Sequence, residues 1–275
     1  MNNIDNLKSY DDVENLSRFS EESIDRYINL KLDSCKQDVD FITERIYKNI
    51  KKPLKMCEIG AGNGKLLYSL EKDGILEKGI NYEVSHSRYL FAEEMKRRLG
   101  CSLVENRNQD ILKSNDTNRY DSIIAVDIVT QIITCLYDSA EKEYFQWINE
   151  HLNMGGYAFF EMESYRKERE IIAITDCDIR RWEEFPEDDP FQYGLYRIDM
   201  DKDGNIVYEK KFYEKATGQM KGFVDIIKPY DEDTFLELIK LYGFEGEIFH
   251  CYKEEGDLPK KLYLCLAKKV KEITE

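Results

Sequence analysis

At 275 residues the chain has room for one large α/β domain, or one such domain carrying a sizeable insertion, and hydrophobic residues make up 42% of it, enough for a buried core. The formal charge of −15 creates a field that repels phosphate backbones and anionic lipid heads, so general nucleic-acid or membrane-surface binding is disfavoured. Seven cysteines lie singly along the chain with no CxxC pair, a pattern of reduced thiols rather than of a disulfide scaffold or zinc site.

Residues 1–53 are polar and helix-prone: Ser20 is placed to cap a helix over 21–30, an amphipathic stretch covers 38–50, and Pro53 ends it. The first residues lack the basic and apolar regions of a signal peptide, and no apolar run approaches the ~20 residues that span a bilayer, so a cytoplasmic protein is expected. From 55 to 163 short apolar runs (KMCEIG, GINYEV, CSLVE, YDSIIAVDIV, GGYAFFEME) alternate with helical patterns, which implies crossover units and a mostly parallel sheet. Residues 164–230 are aromatic and charged and contain the hairpin signal Asp203-Gly204, so an antiparallel meander is expected there, inserted after the fifth parallel strand. A helix over 231–242 and strands near 247–252 and 261–267 complete the sheet. The basic runs Lys51, Lys52, Lys55 and Lys268, Lys269, Lys271 flank strand-like segments and read as a solvated rim.

The segment MCEIGAGNGK (56–65) ends an apolar strand in Gly60, Gly62 and Gly64 and then opens a helix. Glycines there let the backbone turn sharply and let a ligand approach the main chain, while the helix amino terminus adds partial positive charge. Three ligand classes use such turns, and spacing separates them. A phosphate-binding loop needs GxxxxGK followed by Ser or Thr, but Gly60 to Gly64 is one residue short and Leu66 stands in the hydroxyl position. A dinucleotide fingerprint needs GxGxxG, and from Gly60 the third glycine would fall on Lys65.

The segment closely resembles the first motif of class I S-adenosylmethionine-dependent methyltransferases, an acidic residue followed by GxGxG, with Glu58, Gly60, Gly62 and Gly64 in place and Ala61 between them. Further landmarks of that family follow in order. Glu83 closes the next strand, where a carboxylate can accept hydrogen bonds from both ribose hydroxyls. In NQDI (108–111), Asp110 resembles the acceptor for the adenine amino group, with Ile111 or Val84 packing on the ring. YDSIIAVD (120–127) resembles the strand whose end faces the methyl donor, and LNMGGY (152–157) the turn before strand five.

The resemblance implies an α/β, Rossmann-like fold: a mostly parallel seven-stranded sheet flanked by helices, with an antiparallel β-rich insertion after strand 5. It implies a core over 54–163 and 231–275, a substrate-recognition subdomain over 164–230, and a helical segment over 1–53 that can act as a lid through Tyr10 and Phe19. S-adenosylmethionine is the expected cofactor, and a small molecule methylated on N or O the expected acceptor. A protein methyltransferase and a cofactor-binding but non-catalytic regulatory protein are the alternatives.

Asp127, at the carboxyl edge of a parallel strand, is expected to line the site as a cofactor contact, and Asp127, Glu161 and Glu163 are the candidate catalytic residues. Alternation along FFEME (159–163) puts Glu161 and Glu163 on one side, where paired carboxylates beside aromatics suit an amine. Tyr165, Trp182, Phe191, Tyr193, Tyr196 and Arg197 are the substrate-binding candidates from the insertion. Asp121 reads as a turn residue. His86, His151 and His250 are not spaced for metal binding, and no metal is expected.

Overall fold

The computed structural model describes residues 14–185, 187, 191–250 and 262–273. Its first helices are α1 (Glu21–Ser34), whose Ser20 and Ser23 form a reciprocal cap, and α2 (Lys36–Ile42), extended by a π-turn at Thr43–Tyr47 and a last helical turn at Lys48–Ile50. Strand β1 (Leu54–Ile59) is buried on both faces except at Lys55, the pattern of a central parallel strand covered by helices on each side. There follow α3 (Lys65–Lys72), β2 (Leu76–Tyr82), α4 (His86–Leu99), β3 (Val104–Arg107), β4 (Tyr120–Ala125), α5 (Val129–Ile133), α6 (Ala140–His151) and β5 (Leu152–Glu163).

After β5 the chain leaves the sheet. It forms α7 (Arg166–Thr175) and then β6 (Ile179–Glu184), β7 (Phe191–Met200), β8 (Ile206–Glu214) and β9 (Gln219–Ile227), and returns through α8 (Glu232–Leu241), β10 (Phe244–His250) and β11 (Leu262–Lys269). The main sheet runs β10-β11-β5-β4-β1-β2-β3. Strands β1 to β5 pair in parallel and β11 pairs antiparallel with both β5 and β10, so the Rossmann-like, mostly parallel seven-stranded sheet is present. Strands β6 to β9 form a separate four-stranded antiparallel meander.

One apolar cluster packs α1 to α4 on one face of the main sheet, and a second packs α6 and α8 on the other. A third, built on Tyr165, Ile172, Ile198, Ile206 and Ile227 with Ile128 and Ile132 against it, fastens the meander to α5 and α7. The inserted segment is therefore held beside the carboxyl ends of β4 and β5, over the sheet edge where ligands bind in open α/β folds.

Two expectations need correction. The segment 164–230 is not a meander throughout, because it opens with helix α7, whose Glu168 and Ile172 are buried one turn apart. Lys269 is not part of a solvated rim: it is fully buried, and its Nζ donates to the Leu152 carbonyl at 2.8 Å and to Glu272 Oε2 at 2.8 Å, and also to the Asn149 carbonyl. Tyr10, and the start of the strand expected near 261, lie outside the described residues.

Candidate active site

A cavity of about 440 Å³ opens at the carboxyl ends of β1, β2, β4 and β5, within the ~300–1,000 Å³ typical of small-molecule sites. Its floor is the turn between β1 and α3. Gly62 has φ +57° and Gly64 φ +75°, conformations that L side chains rarely adopt, and they use the space around them differently. A Cβ on Gly64 would lie 2.7 Å from Asn81 Nδ2 and 2.8 Å from the Tyr68 ring, whereas one on Gly62 would meet nothing closer than Arg88 Nη1 at 3.9 Å. Gly64 serves the packing of the turn; Gly62 keeps its upper face open.

Three carboxylates, one from the end of each of three successive sheet segments, line this cavity: Glu58 on β1, Glu83 after β2 and Asp110 after β3. Glu83 is buried and already oriented, since Gly62 N donates to its Oε2 at 2.7 Å and Ser85 N to its Oε1 at 2.7 Å. Those bonds leave lone pairs for further donors, because an ionised carboxylate can accept about four hydrogen bonds. Asp110 caps a short 3₁₀ turn by accepting from Leu112 N at 3.0 Å, which sets Ile111 and the exposed Val84 on the same wall.

Glu58 is the anomaly. It is buried, and its Oε2 has no hydrogen-bond partner among the described residues. Burial, reinforced by Asp38, Asp127 and Glu83 and opposed by Lys65, pushes its carboxyl up to about 8. Such a carboxyl is mostly protonated at neutral pH, and a cationic ligand group that enters the cavity would draw the proton off and take its place.

Lys31, Lys65 and Arg88 supply basic groups to the same wall, Lys65 close enough to Glu58 to interact with it. Glu14, from the segment before α1, reaches two of them. Its Oε1 accepts from Asn63 Nδ2 at 2.8 Å and from Tyr27 Oη at 2.9 Å, with Lys31 Nζ and Arg88 Nε each 3.8 Å from the carboxylate. Burial alone would raise its pKa, but Arg88 and Lys31, with the hydrogen bonds from Asn63 and Tyr27, outweigh it and hold the carboxyl below the ordinary range. Glu14 thus ties the amino-terminal segment to the glycine turn. Phe19, expected as a lid contact, packs instead on Tyr27 and Phe91, with ring centroids 5.0 and 5.4 Å away.

At the far end, β4 finishes in two successive left-handed residues, Asp127 (φ 54°) and Ile128 (φ 58°). Such backbone costs about 1–3 kcal/mol per residue and is rarest for a β-branched side chain such as isoleucine. What holds it is Glu161, fully buried on β5, whose Oε2 accepts from Asp127 N at 2.8 Å. Glu161 is accordingly a support beneath the cavity wall, while Asp127 and Glu163 are on the wall itself. Buried Tyr165 donates its hydroxyl to Glu163 Oε2 at 2.7 Å, and Gln131 bonds both the N–H and the carbonyl of Glu163.

None of the six aromatic and basic residues singled out from the insertion lies on the cavity wall. Tyr165 is behind it. Trp182 stacks on Tyr193 at 5.3 Å, Tyr193 on Tyr213 at 5.0 Å, and Phe191 on Phe212 at 5.1 Å. Tyr196 donates to Glu183, and Arg197 is ion-paired with Asp178, Asp199 and Glu209. The meander reaches the cavity through Lys210 instead. Of the remaining residues, Asp121 accepts from Lys55 N, Lys52 Nζ and Asn153 Nδ2, which ties β4 to its neighbours on the side of the sheet away from the cavity. His86 bonds Asn108, and His151 stacks on Trp147. Among the described residues no group of His, Cys, Asp and Glu side chains is arranged to hold a metal ion, and no helix is long and apolar enough to cross a membrane.

The sequence matches no protein-family model and no curated protein. The fold does match solved structures. An S-adenosylmethionine-dependent methyltransferase from Clostridium acetobutylicum superposes with a TM-score of 0.67 at 22% identity, over 85% of this chain and 91% of that one. The CcbJ methyltransferase from Streptomyces caelestis gives 0.67 at 12% identity, over 86% and 89%. An amino pentose methyltransferase from Micromonospora echinaspora, solved with S-adenosylmethionine bound, gives 0.61 at 13% identity, over 84% and 90%. The chain therefore has the fold of class I S-adenosylmethionine-dependent methyltransferases.

Proposed function

We propose that this protein binds S-adenosylmethionine in the cavity above the glycine turn and transfers its methyl group to a nitrogen or oxygen atom of a small molecule. The observation that carries the reading is the convergence of Glu58, Glu83 and Asp110 on one cavity, over a turn whose Gly62 leaves space for a ligand. In this reading Gly60, Ala61 and Gly62 run beneath the methionine portion and Glu58 receives its amino group. Glu83 accepts from the ribose hydroxyls, and Asp110 receives the adenine amino group between Ile111 and Val84.

Bound S-adenosylmethionine would supply an electrophilic sulfonium methyl. The protein's own work is then to align the acceptor, exclude water and take up a proton. Residues 54–163 and 231–275 are the catalytic core of this proposal, 164–230 its acceptor-recognition part, and the segment before β1 its cover, latched by Glu14 in a cytoplasmic enzyme. The solved neighbour named as an amino pentose methyltransferase supports a small acceptor, as does the size of the site.

The test is a methyl-transfer screen against amines, phenols and carboxylates, followed through formation of S-adenosylhomocysteine. Acceptor-dependent turnover is expected. Binding of S-adenosylmethionine with no turnover on any acceptor, small molecule or protein, would leave the non-catalytic alternative standing in its place.

A further inference from the structure

We infer that the acceptor is an amine, held as an ammonium between Asp127 and Glu163 and deprotonated by Glu163. This rests on the methyltransferase reading and adds the chemical class of its acceptor. Beyond the donor half, the cavity wall is made by the ends of β4 and β5 and carries Asp127 and Glu163. Glu161 fixes their spacing: it accepts from Asp127 N and lies two residues before Glu163 on the same face of β5, about 7 Å along the strand. The Asp127 backbone and the Glu163 side chain are thus each fixed by a hydrogen bond beside neighbouring strand ends.

Acidic side chains outnumber basic ones on the cavity wall. Lys210, which the meander brings to the wall, is ion-paired with the buried Asp225, with Nζ 2.6 Å from Oδ2. Of the other cations on the wall, Lys31 and Arg88 are engaged by Glu14, and Lys31 also lies close enough to Asp127 to interact with it. Apolar side chains, among them Ile128, Ile132, Ile133 and Leu136, also line this wall, which lowers the local dielectric and strengthens the charge interactions inside. An anionic acceptor would be repelled there, and a neutral hydroxyl would forgo the charge-assisted bonds that an ammonium makes.

Glu163 is the residue built for proton transfer. The Tyr165 hydroxyl fixes one of its oxygens, and Gln131 fixes its backbone on both sides. In the reaction the ammonium gives one proton to the Glu163 carboxylate. The freed nitrogen lone pair then forms the bond to the methyl carbon, the carbon–sulfur electron pair stays with sulfur, and the proton passes from Glu163 to solvent. An ammonium and a sulfonium become a methylammonium, a neutral thioether and one proton, so charge and atoms balance.

The experiment uses the full chain saturated with S-adenosylhomocysteine, whose own binding is measured first by calorimetry. Benzylamine, cyclohexylamine and a methyl 3-amino-3-deoxyglucoside are then titrated, each against the alcohol that replaces its amino group. For the wild type at least one amine should bind about tenfold or more tightly than its alcohol, and Glu163→Gln should abolish that preference while S-adenosylhomocysteine affinity stays within about twofold. Asp127→Asn, which keeps a residue type tolerant of left-handed backbone, should narrow the preference as well, and serves if Glu163→Gln does not fold. Alcohols binding as well as amines, no amine binding at all, or an unchanged preference in both variants would overturn the inference. Failure of S-adenosylhomocysteine itself to bind would instead overturn the methyltransferase reading beneath it.

Discussion

Replacing Gly62 and Gly64 by alanine, one at a time, separates the ligand's use of the turn from the fold's. Gly62→Ala places a side chain at φ +57° with no atom nearer than 3.9 Å, so the folded state loses only the backbone term, about 1 kcal/mol. In a chain of this size that is roughly 2–4 °C in Tm. Gly64→Ala bears the same backbone term at φ +75° and adds contacts of 2.7 Å to Asn81 and 2.8 Å to Tyr68. Neither neighbour can easily yield: Asn81 Nδ2 donates to Asn106 Oδ1 at 3.0 Å, and Tyr68 Oη donates to the Ala92 carbonyl at 2.8 Å. Overpacking of that kind adds about 1–3 kcal/mol, so the total loss is about 2–4 kcal/mol. Affinity for S-adenosylhomocysteine should run the other way, with Gly62→Ala losing about tenfold or more because its methyl occupies the open face of the turn. Thermal denaturation and calorimetry on the two variants read both quantities. Equal stability losses, or a Gly62→Ala protein that binds S-adenosylhomocysteine like the wild type, would refute the division of roles.

Glu58 yields a prediction in pH. Its folded pKa is raised from 4.5 to about 8, so it binds its proton more tightly folded than unfolded; the stability this contributes is complete below about 4.5 and lost as pH rises through 8. Urea unfolding of unliganded wild type and Glu58→Gln should therefore show the variant gaining on the wild type between pH 5 and 9, and parallel profiles would contradict the burial of an unpartnered carboxyl. Glu14→Gln removes the counter-charge from Lys31 and Arg88 and should cost about 1–3 kcal/mol while speeding proteolytic cleavage ahead of α1; an unchanged cleavage rate would mean that Glu14 latches nothing. Glu83→Ala should weaken S-adenosylmethionine binding by roughly 1.5–3 kcal/mol, and unaltered affinity in a titration would remove Glu83 from the ribose site.

The donor side was legible because its signals are local. Strand β1, the glycine turn and α3 lie within 54–72, and Glu83 and Asp110 follow at the ends of the next two strands, so the parallel topology alone brings them together. The acceptor side was not legible in the same way. The aromatics of 164–230 suggested a binding surface, but most stack on one another across the meander, and Lys210 is the residue that reaches the cavity. Glu161 and Glu163 look alike in sequence. Only the backward turn at Asp127 and Ile128 assigns one to support and the other to the wall. Glu14 carried no local signal, since its partners Tyr27, Asn63 and Arg88 become neighbours only when α1, the turn and α4 pack. Asn63, Lys65 and Arg88, by contrast, flank Gly62 and Glu83 closely enough that their place at the cavity could have been read from the motif.

Calorimetric titration of the purified chain with S-adenosylmethionine, and separately with NAD, decides what the cavity holds. Saturable one-to-one binding of S-adenosylmethionine with none of NAD is the result expected from Glu58, Glu83 and Asp110 around the glycine turn. Binding of NAD with no response to S-adenosylmethionine would contradict it.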